Sequence, residues 1–149
     1  MTKHGTILLV EDETSDALVK RAFAETGVTQ PLRTVHSSEE AVKYLSGSGK
    51  FSDRKNHPLP FLVVVDLTMS NEAGFTFLRW LFERPGLKKK FILVVLGQAS
   101  TNAEIQLTYE LGAQSYLSRH SDFGSLTAIV RAVKEYWIEL NCQPNGGPA

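Results

Sequence analysis

A single cysteine, Cys142, is all the sequence holds, so no disulfide can close within the chain and a reducing compartment is the simpler setting. Its thiol stands beside a polar tail and reads as incidental rather than reactive. Long hydrophobic runs are missing too. The start, Met1-Thr2-Lys3-His4-Gly5, leads into an apolar stretch too brief for a signal-peptide core or a membrane span. Charge of neither sign is in excess: sixteen basic residues balance sixteen acidic ones. That removes the electrostatic reason to expect nucleic acid or an anionic membrane as partner. No internal repeat is present. No glycine-rich phosphate loop follows the first apolar run, where Glu11-Asp12-Glu13 would repel a phosphate unless a cation intervened. A small nucleotide-binding enzyme is therefore a poor reading. What remains is ordinary globular composition, 42% apolar and 21% charged over 149 residues, sufficient for one self-supporting domain over residues 1–149.

Short apolar runs alternate with amphipathic stretches along the chain. Ile7-Leu8-Leu9-Val10 is continuous, as expected of a strand buried on both faces. Leu18/Ala22 and Val19/Phe23 then keep helical spacing until Gly27. Residues 32–35 form a second short strand, and Ser37 with Glu40 makes a capping box that opens a helix through Ala41, Val42 and Leu45. Residues 47–60, rich in Gly, Ser and Pro, predict a long loop. Residues 61–65 are the strongest strand and end on Asp66. A loop reaches Gly74, and Phe75, Leu78 and Phe82 predict a helix that Pro85-Gly86 stops. Lys88-Lys89-Lys90 reads as a solvated loop before a buried strand at 91–96. Thr101 and Glu104 supply a second capping box, and Gly112 the left-handed cap that closes that helix. Residues 115–117 make a short last strand. A final helix over 123–140 carries Leu126, Ile129, Val130, Val133 and Trp137 on one stripe, and residues 144–149 are expected to fray.

Five strands alternating with five helices imply a parallel sheet with right-handed crossovers and helices on both faces. In such sheets, sites form beyond the carboxyl ends of the strands. Glu11 and Asp12 follow the first strand, and Asp66 ends the third. Neighbouring strands would bring these carboxylates together, where like charges about 4 Å apart repel by roughly 1 kcal/mol per pair even in water. A raised pKa or a hard, oxygen-preferring cation such as Mg²⁺ relieves that. Solvated acids at helix N-termini, where negative charge is favoured, are the other reading. At the level of spacing, both stand.

The stretches ILLVEDE at 7–13, VVVDLTMSNEAGF at 63–75, FILVVL at 91–96 and LGAQSYLSRHSDF at 111–123 resemble the successive signatures of response-regulator receiver domains. The resemblance runs from Thr6 to about Leu140. It leans towards the short stand-alone regulators that serve phytochrome-type histidine kinases, which share the long loop before the third strand and the late Tyr136-Trp137 pair. It implies a flavodoxin-like (βα)5 fold with strand order 2-1-3-4-5. Asp66 is then the phosphoacceptor, and Mg²⁺ (or Mn²⁺) is held by Glu11, Asp12, Asp66 and the backbone carbonyl of Thr68. Gly74 closes the loop after the acceptor, and Tyr116 is the aromatic whose rotamer reports activation. The resemblance further implies a cytoplasmic signalling protein rather than an enzyme, with a histidine kinase as partner. A homodimer through the fourth helix, fifth strand and fifth helix is expected, because one of Tyr136 and Trp137 should face outward. With nine residues after Leu140, no output domain is expected.

Four positions depart from the family pattern. Gly97 stands where the family has Thr or Ser, and nothing nearby clearly restores the hydroxyl; Gln98 and Ser100 are the candidates. Arg119 replaces the Lys at the end of the fifth strand, exchanging a compact ammonium for a planar fork. His120 replaces a cis proline, and since a cis bond there would cost about 2.5–4 kcal/mol, a trans peptide is expected. Ser70 replaces a proline in the loop after Asp66. Two functions follow: a phospho-switch on Asp66, or a degenerate receiver that works as a constitutive binding module.

Overall fold

The computed structural model of the protein describes residues 5–98, 101–119 and 123–142. Ser100, His120 and the tail expected to fray lie outside the described residues. Five strands, β1 (Ile7–Val10), β2 (Leu32–Val35), β3 (Leu62–Asp66), β4 (Ile92–Gly97) and β5 (Ser115–Ser118), form one sheet in the order β2-β1-β3-β4-β5. All its pairings are parallel, as expected. The principal helices are α1 (Asp16–Glu25), α2 (Ser38–Ser46), α3 (Ala73–Phe82), α4 (Asn102–Glu110) and α5 (Phe123–Val133).

The continuous apolar runs are explained by the two cores they serve. Leu8, Val10, Val63, Val65, Leu93 and Val95 point to one face, packing with Tyr44, Leu45, Phe77, Leu78 and Leu81 of α2 and α3. Their neighbours Ile7, Leu9, Leu62, Val64, Ile92 and Val94 point to the other, against Val19 and Phe23 of α1 and Leu126, Val130 and Val133 of α5. Each fully buried side chain of this size contributes about 1.5–3 kcal/mol. The alternation also fixes register, because a one-residue slip would exchange the two faces. Among the described residues no helix is long and apolar enough to cross a membrane.

Local details differ from the sequence expectations for reasons the contacts make plain. The Ser37 hydroxyl accepts from the Glu40 N–H at 3.0 Å, but the Glu40 carboxylate reaches past the cap to the N–H of His36 at 2.9 Å. Thr101 is the N-cap residue of α4 but makes no side-chain cap bond, and the Glu104 carboxylate accepts from the Tyr116 hydroxyl instead of closing a capping box. α3 ends at Phe82, just before Pro85 as expected, and Pro85 itself opens a separate one-turn helix, Pro85–Lys88, where its missing N–H costs nothing. Lys88 is not simply solvated. Its stem crosses under Gly112 (φ +105°), where a Cβ would lie 2.6 Å from Lys88 Cε, and burial lowers the pKa of its ammonium. The last helix loses α-geometry at Val133 and continues as a π-helix, Lys134–Leu140. The wider turn buries Ile138, leaves Trp137 part-buried and leaves Tyr136 exposed, so one aromatic of the pair faces outward as expected.

The long loop is tied rather than loose. The Arg54 guanidinium donates to the carbonyls of Tyr44 and Leu45, each at 2.7 Å, and of His57 at 3.0 Å. It thereby adds to the Gly47 N–H on the Tyr44 carbonyl and supplies a donor to that of Leu45 near the C-terminal end of α2. The Tyr44 hydroxyl donates to the Pro58 carbonyl at 2.9 Å. That stapling feeds the chain into β3 and so towards Asp66.

Candidate functional site

Parallel β1, β3 and β4 end together, and their last residues make the site. Glu11 follows β1, its N–H donating to the Val35 carbonyl of β2 at 3.1 Å. Its side chain is turned inward and buried, and its Oε1 has no hydrogen-bond partner. Burial pushes the Glu11 carboxyl up to about 8, with the like charges of Asp16 and Asp66 adding to the shift while Arg119 and Lys20 oppose it. Asp12 stands before a 3-10 turn, Glu13–Ser15, and its carbonyl accepts from the Ser15 N–H at 3.1 Å. Its side chain is half-buried at the rim.

Asp66 is the last residue of β3, paired in register with Leu96 and only 2% exposed. Its Oδ1 accepts from the Thr68 N–H at 2.8 Å and from the Thr68 hydroxyl at 2.6 Å. Its Oδ2 accepts from the guanidinium of Arg119, whose side chain is 11% exposed. Arg119 is itself anchored, its N–H donating to the Gly97 carbonyl at 2.7 Å. Both Asp66 oxygens are thus engaged. The expected convergence of acids is partial: among the described residues, no three acidic, histidine or cysteine side chains stand close enough to cage a metal. Any cation here would have to complete its shell from a backbone carbonyl and water.

The loop after Asp66 is held by close approach and unusual backbone. A Cβ on Gly74 would lie 2.8 Å from Leu67 Cδ2 and 3.2 Å from the Asp66 carbonyl oxygen. Gly74 sits inside the first turn of α3, not before the helix as expected. Asn71 and Glu72, both non-glycine, adopt left-handed φ of 59° and 55°, a conformation that costs of order 1–3 kcal/mol each.

At position 97 a neighbour takes the place of the absent side chain. The space left by the absent side chain is filled by Tyr116 of β5. A Cβ on Gly97 would meet the Tyr116 hydroxyl, with Cζ at 2.5 Å and Cε2 at 2.9 Å. Gln98, a candidate for restoring the hydroxyl, is exposed. Two participants escaped the sequence reading. Asp16 lies close enough to bear on Glu11 and has a buried Oδ1 without a hydrogen-bond partner, while its Oδ2 pairs with Lys20 at 3.1 Å. The i,i+4 spacing of Asp16 and Lys20 is visible in sequence, but not its nearness to Glu11. Glu104, read as a cap, accepts from the Tyr116 hydroxyl at 2.7 Å.

A parallel sheet of this order, with an acid at the end of β1, an acid at the end of β3 and a cation after β5, defines a receiver-type α/β signalling domain. No family model matches the chain. It is 30% identical over 144 residues to the probable methanogenesis regulatory protein FilR2 of Methanothrix harundinacea, a match that spans 96% of this chain and 88% of that one. It is 27% identical over 139 residues to response regulator Rcp1 of Synechocystis sp., spanning 93% and 92%. The solved structure of the phosphorylated cyanobacterial phytochrome response regulator RcpA superposes with a TM-score of 0.83 at 28% identity, over 96% of this chain and all of that one. The Mn²⁺-bound form of Rcp1 superposes with a TM-score of 0.80 at 25% identity, over 95% and 99%. The chain belongs to the response-regulator receiver family.

Proposed function

We propose that residues 6–140 form a receiver that accepts a phosphoryl group on Asp66 from a histidine kinase of the phytochrome-type class and signals by protein contact. The observation that carries this is the buried Asp66 carboxylate, fixed by Thr68 through one oxygen and faced by a single guanidinium at the other. Thr68 orients Oδ1, so Oδ2 is the attacking oxygen once Arg119 turns aside. Attack on phosphorus forms the acyl phosphate and breaks the phosphorus–nitrogen bond to the kinase histidine, whose imidazole keeps the electron pair. Arg119, released from Asp66, is within reach of the new phosphoryl oxygens and suited to them by its planar fork.

Glu11, Asp12, Asp66 and the Thr68 carbonyl would hold Mg²⁺ or Mn²⁺, which supplies charge neutralisation to the incoming phosphoryl group. The unpartnered, buried Glu11 oxygen fits such an ion, since its ionised form is opposed by burial and by Asp16 and Asp66. The Mn²⁺-bound form of Rcp1 supports the same reading. The exposed Tyr136, beside Trp137 on the last helix, supports self-association through the α4, β5 and α5 face. Incubation with acetyl phosphate and Mg²⁺, followed by intact mass, is expected to add one phosphoryl group to the wild type and none to Asp66→Asn. Equal labelling of both proteins, or of neither, would overturn the assignment.

A second reading, a constitutive binding module, has its own support. Tyr116 already lies over Gly97 and Arg119 already neutralises Asp66. Partner capture unaffected by Asp66→Asn would favour it.

A further inference from the structure

Helix α4 is attached to β5 by polar bonds as well as by apolar packing. A surface helix is ordinarily held by an apolar stripe. Thr108 is the one fully buried residue of α4, and its hydroxyl is spent within the helix on the Glu104 carbonyl at 2.9 Å. Leu107 packs on the core and Leu111, which closes the helix, is buried in it, and two polar bonds reach from α4 to one residue of β5. The Tyr109 hydroxyl accepts from the Tyr116 N–H at 3.0 Å, and Glu104 accepts from the Tyr116 hydroxyl at 2.7 Å.

The second bond depends on position 97. The Tyr116 ring lies in volume that the Cβ of any larger residue would enter, with Cζ at 2.5 Å and Cε2 at 2.9 Å from that atom. Real atoms do not approach so closely, so a side chain at 97 and this placement of Tyr116 exclude each other. We propose that Gly97, Tyr116 and Glu104 form a resident clamp that fixes α4 on β5 whatever the state of Asp66. Tyr116 is a positioning residue in this scheme, and Gly97 is the condition for it. Independence from Asp66 rests on the reading of Asp66 as phosphoacceptor; the clamp does not.

Hydrogen exchange of peptides covering residues 102–110, in the unphosphorylated protein, tests the clamp. Tyr116→Phe removes the hydroxyl and keeps the ring, and Gly97→Ala introduces the excluding Cβ. Each is expected to speed exchange about tenfold, the loss of one charge-assisted hydrogen bond. The double variant is expected to match the singles, since both act on one contact. Exchange within twofold of wild type in Tyr116→Phe would overturn the clamp, whatever Gly97→Ala does to folding. Adding beryllofluoride with Mg²⁺ to the wild type forms the second arm. Protection at residues 66–72 with α4 unchanged supports the independence; a change in α4 as large as that in Tyr116→Phe overturns it. No protection at 66–72 counts against Asp66 as acceptor, and the clamp then stands or falls on the Tyr116→Phe exchange rate.

Discussion

Replacing Arg119 by Ala isolates what the guanidinium does for Asp66. The pair is buried on both sides, with side-chain exposures of 11% and 3%, so solvent screening takes little from it. Breaking a buried pair by removing one partner costs about 3–5 kcal/mol, because the other charge is left uncompensated. Asp66 would not be wholly abandoned: the N–H and hydroxyl of Thr68 still donate to it at 2.8 and 2.6 Å. Hydrogen bonds to a charged group contribute about 1.5–3 kcal/mol each, which places the expected loss near the low end, about 3 kcal/mol. The measurement is urea unfolding in EDTA, followed by the fluorescence of Trp80 and Trp137.

The same variant should gain more from a cation. A ligand at a hundred times its dissociation constant stabilises by about 2.7 kcal/mol, so saturating Mg²⁺ should recover most of the loss in Arg119→Ala and add less to the wild type. Asp66→Asn with Arg119→Ala completes a double-mutant cycle, and the double variant should lose clearly less than the sum of the singles. Arg119→Ala within 1 kcal/mol of wild type in EDTA, roughly the spread of an exposed pair, with no coupling in the cycle, would refute the reasoning. The guanidinium would then be a bystander.

Asp12→Ala should weaken Mg²⁺ binding by about tenfold or more, as loss of one charged ligand predicts; equal affinity by calorimetry would remove Asp12 from the site. Glu11 has a folded-state pKa raised to about 8 from an ordinary 4.5, so its stabilising contribution is complete below pH 4.5 and lost as pH rises to 8. Metal-free Glu11→Gln should therefore match wild type near pH 4.5 and exceed it in stability at pH 9; a constant difference across that range refutes the shift. Gly74→Ala forces a Cβ against Leu67 and the Asp66 carbonyl and should cost about 1–3 kcal/mol in urea unfolding. Arg54→Ala removes its donors to the carbonyls of Leu45, Tyr44 and His57 and should cost about 2 kcal/mol by the same assay.

How far the sequence speaks depends on the range over which each feature is decided. Ile7-Leu8-Leu9-Val10 and residues 61–65 announce buried strands because burial on two faces leaves a continuous apolar run, and parallel strands end where the acids stand. Glu11 and Asp66 were therefore legible as neighbours. Glu104 was not legible as a partner of Tyr116, because an S/T-x-x-E spacing describes only the helix in which it lies. A carboxylate three residues past a cap can turn to any stronger donor that the next strand brings within reach, and here a phenol at 2.7 Å does so. Asp16 was hidden likewise: pairing with Lys20 accounts for its charge locally, while its effect on Glu11 comes from the path of the chain between β1 and α1.

Gly97 shows the deeper limit. A residue type states what a position lacks, and for a switch hydroxyl that reads as a loss. Whether a lost side chain leaves a void, admits water or admits a neighbour is decided by the neighbour's reach. Tyr116 pairs in register with Val95, two residues before Gly97 on the adjacent strand, and its ring is long enough to span that offset and lie over the bare Cα. Interiors close on vacated space because an unfilled gap forfeits the dispersion contacts along its lining. Substitutions at 97 and 116 should accordingly fail to add. Gly97→Thr should displace the Tyr116 ring, and Tyr116→Ala should absorb the cost of the new side chain. Stability of the Gly97→Thr/Tyr116→Ala double variant above the sum of the two single losses, by about 1 kcal/mol or more in urea, is the expected result. Simple additivity would mean that the ring does not depend on the missing side chain.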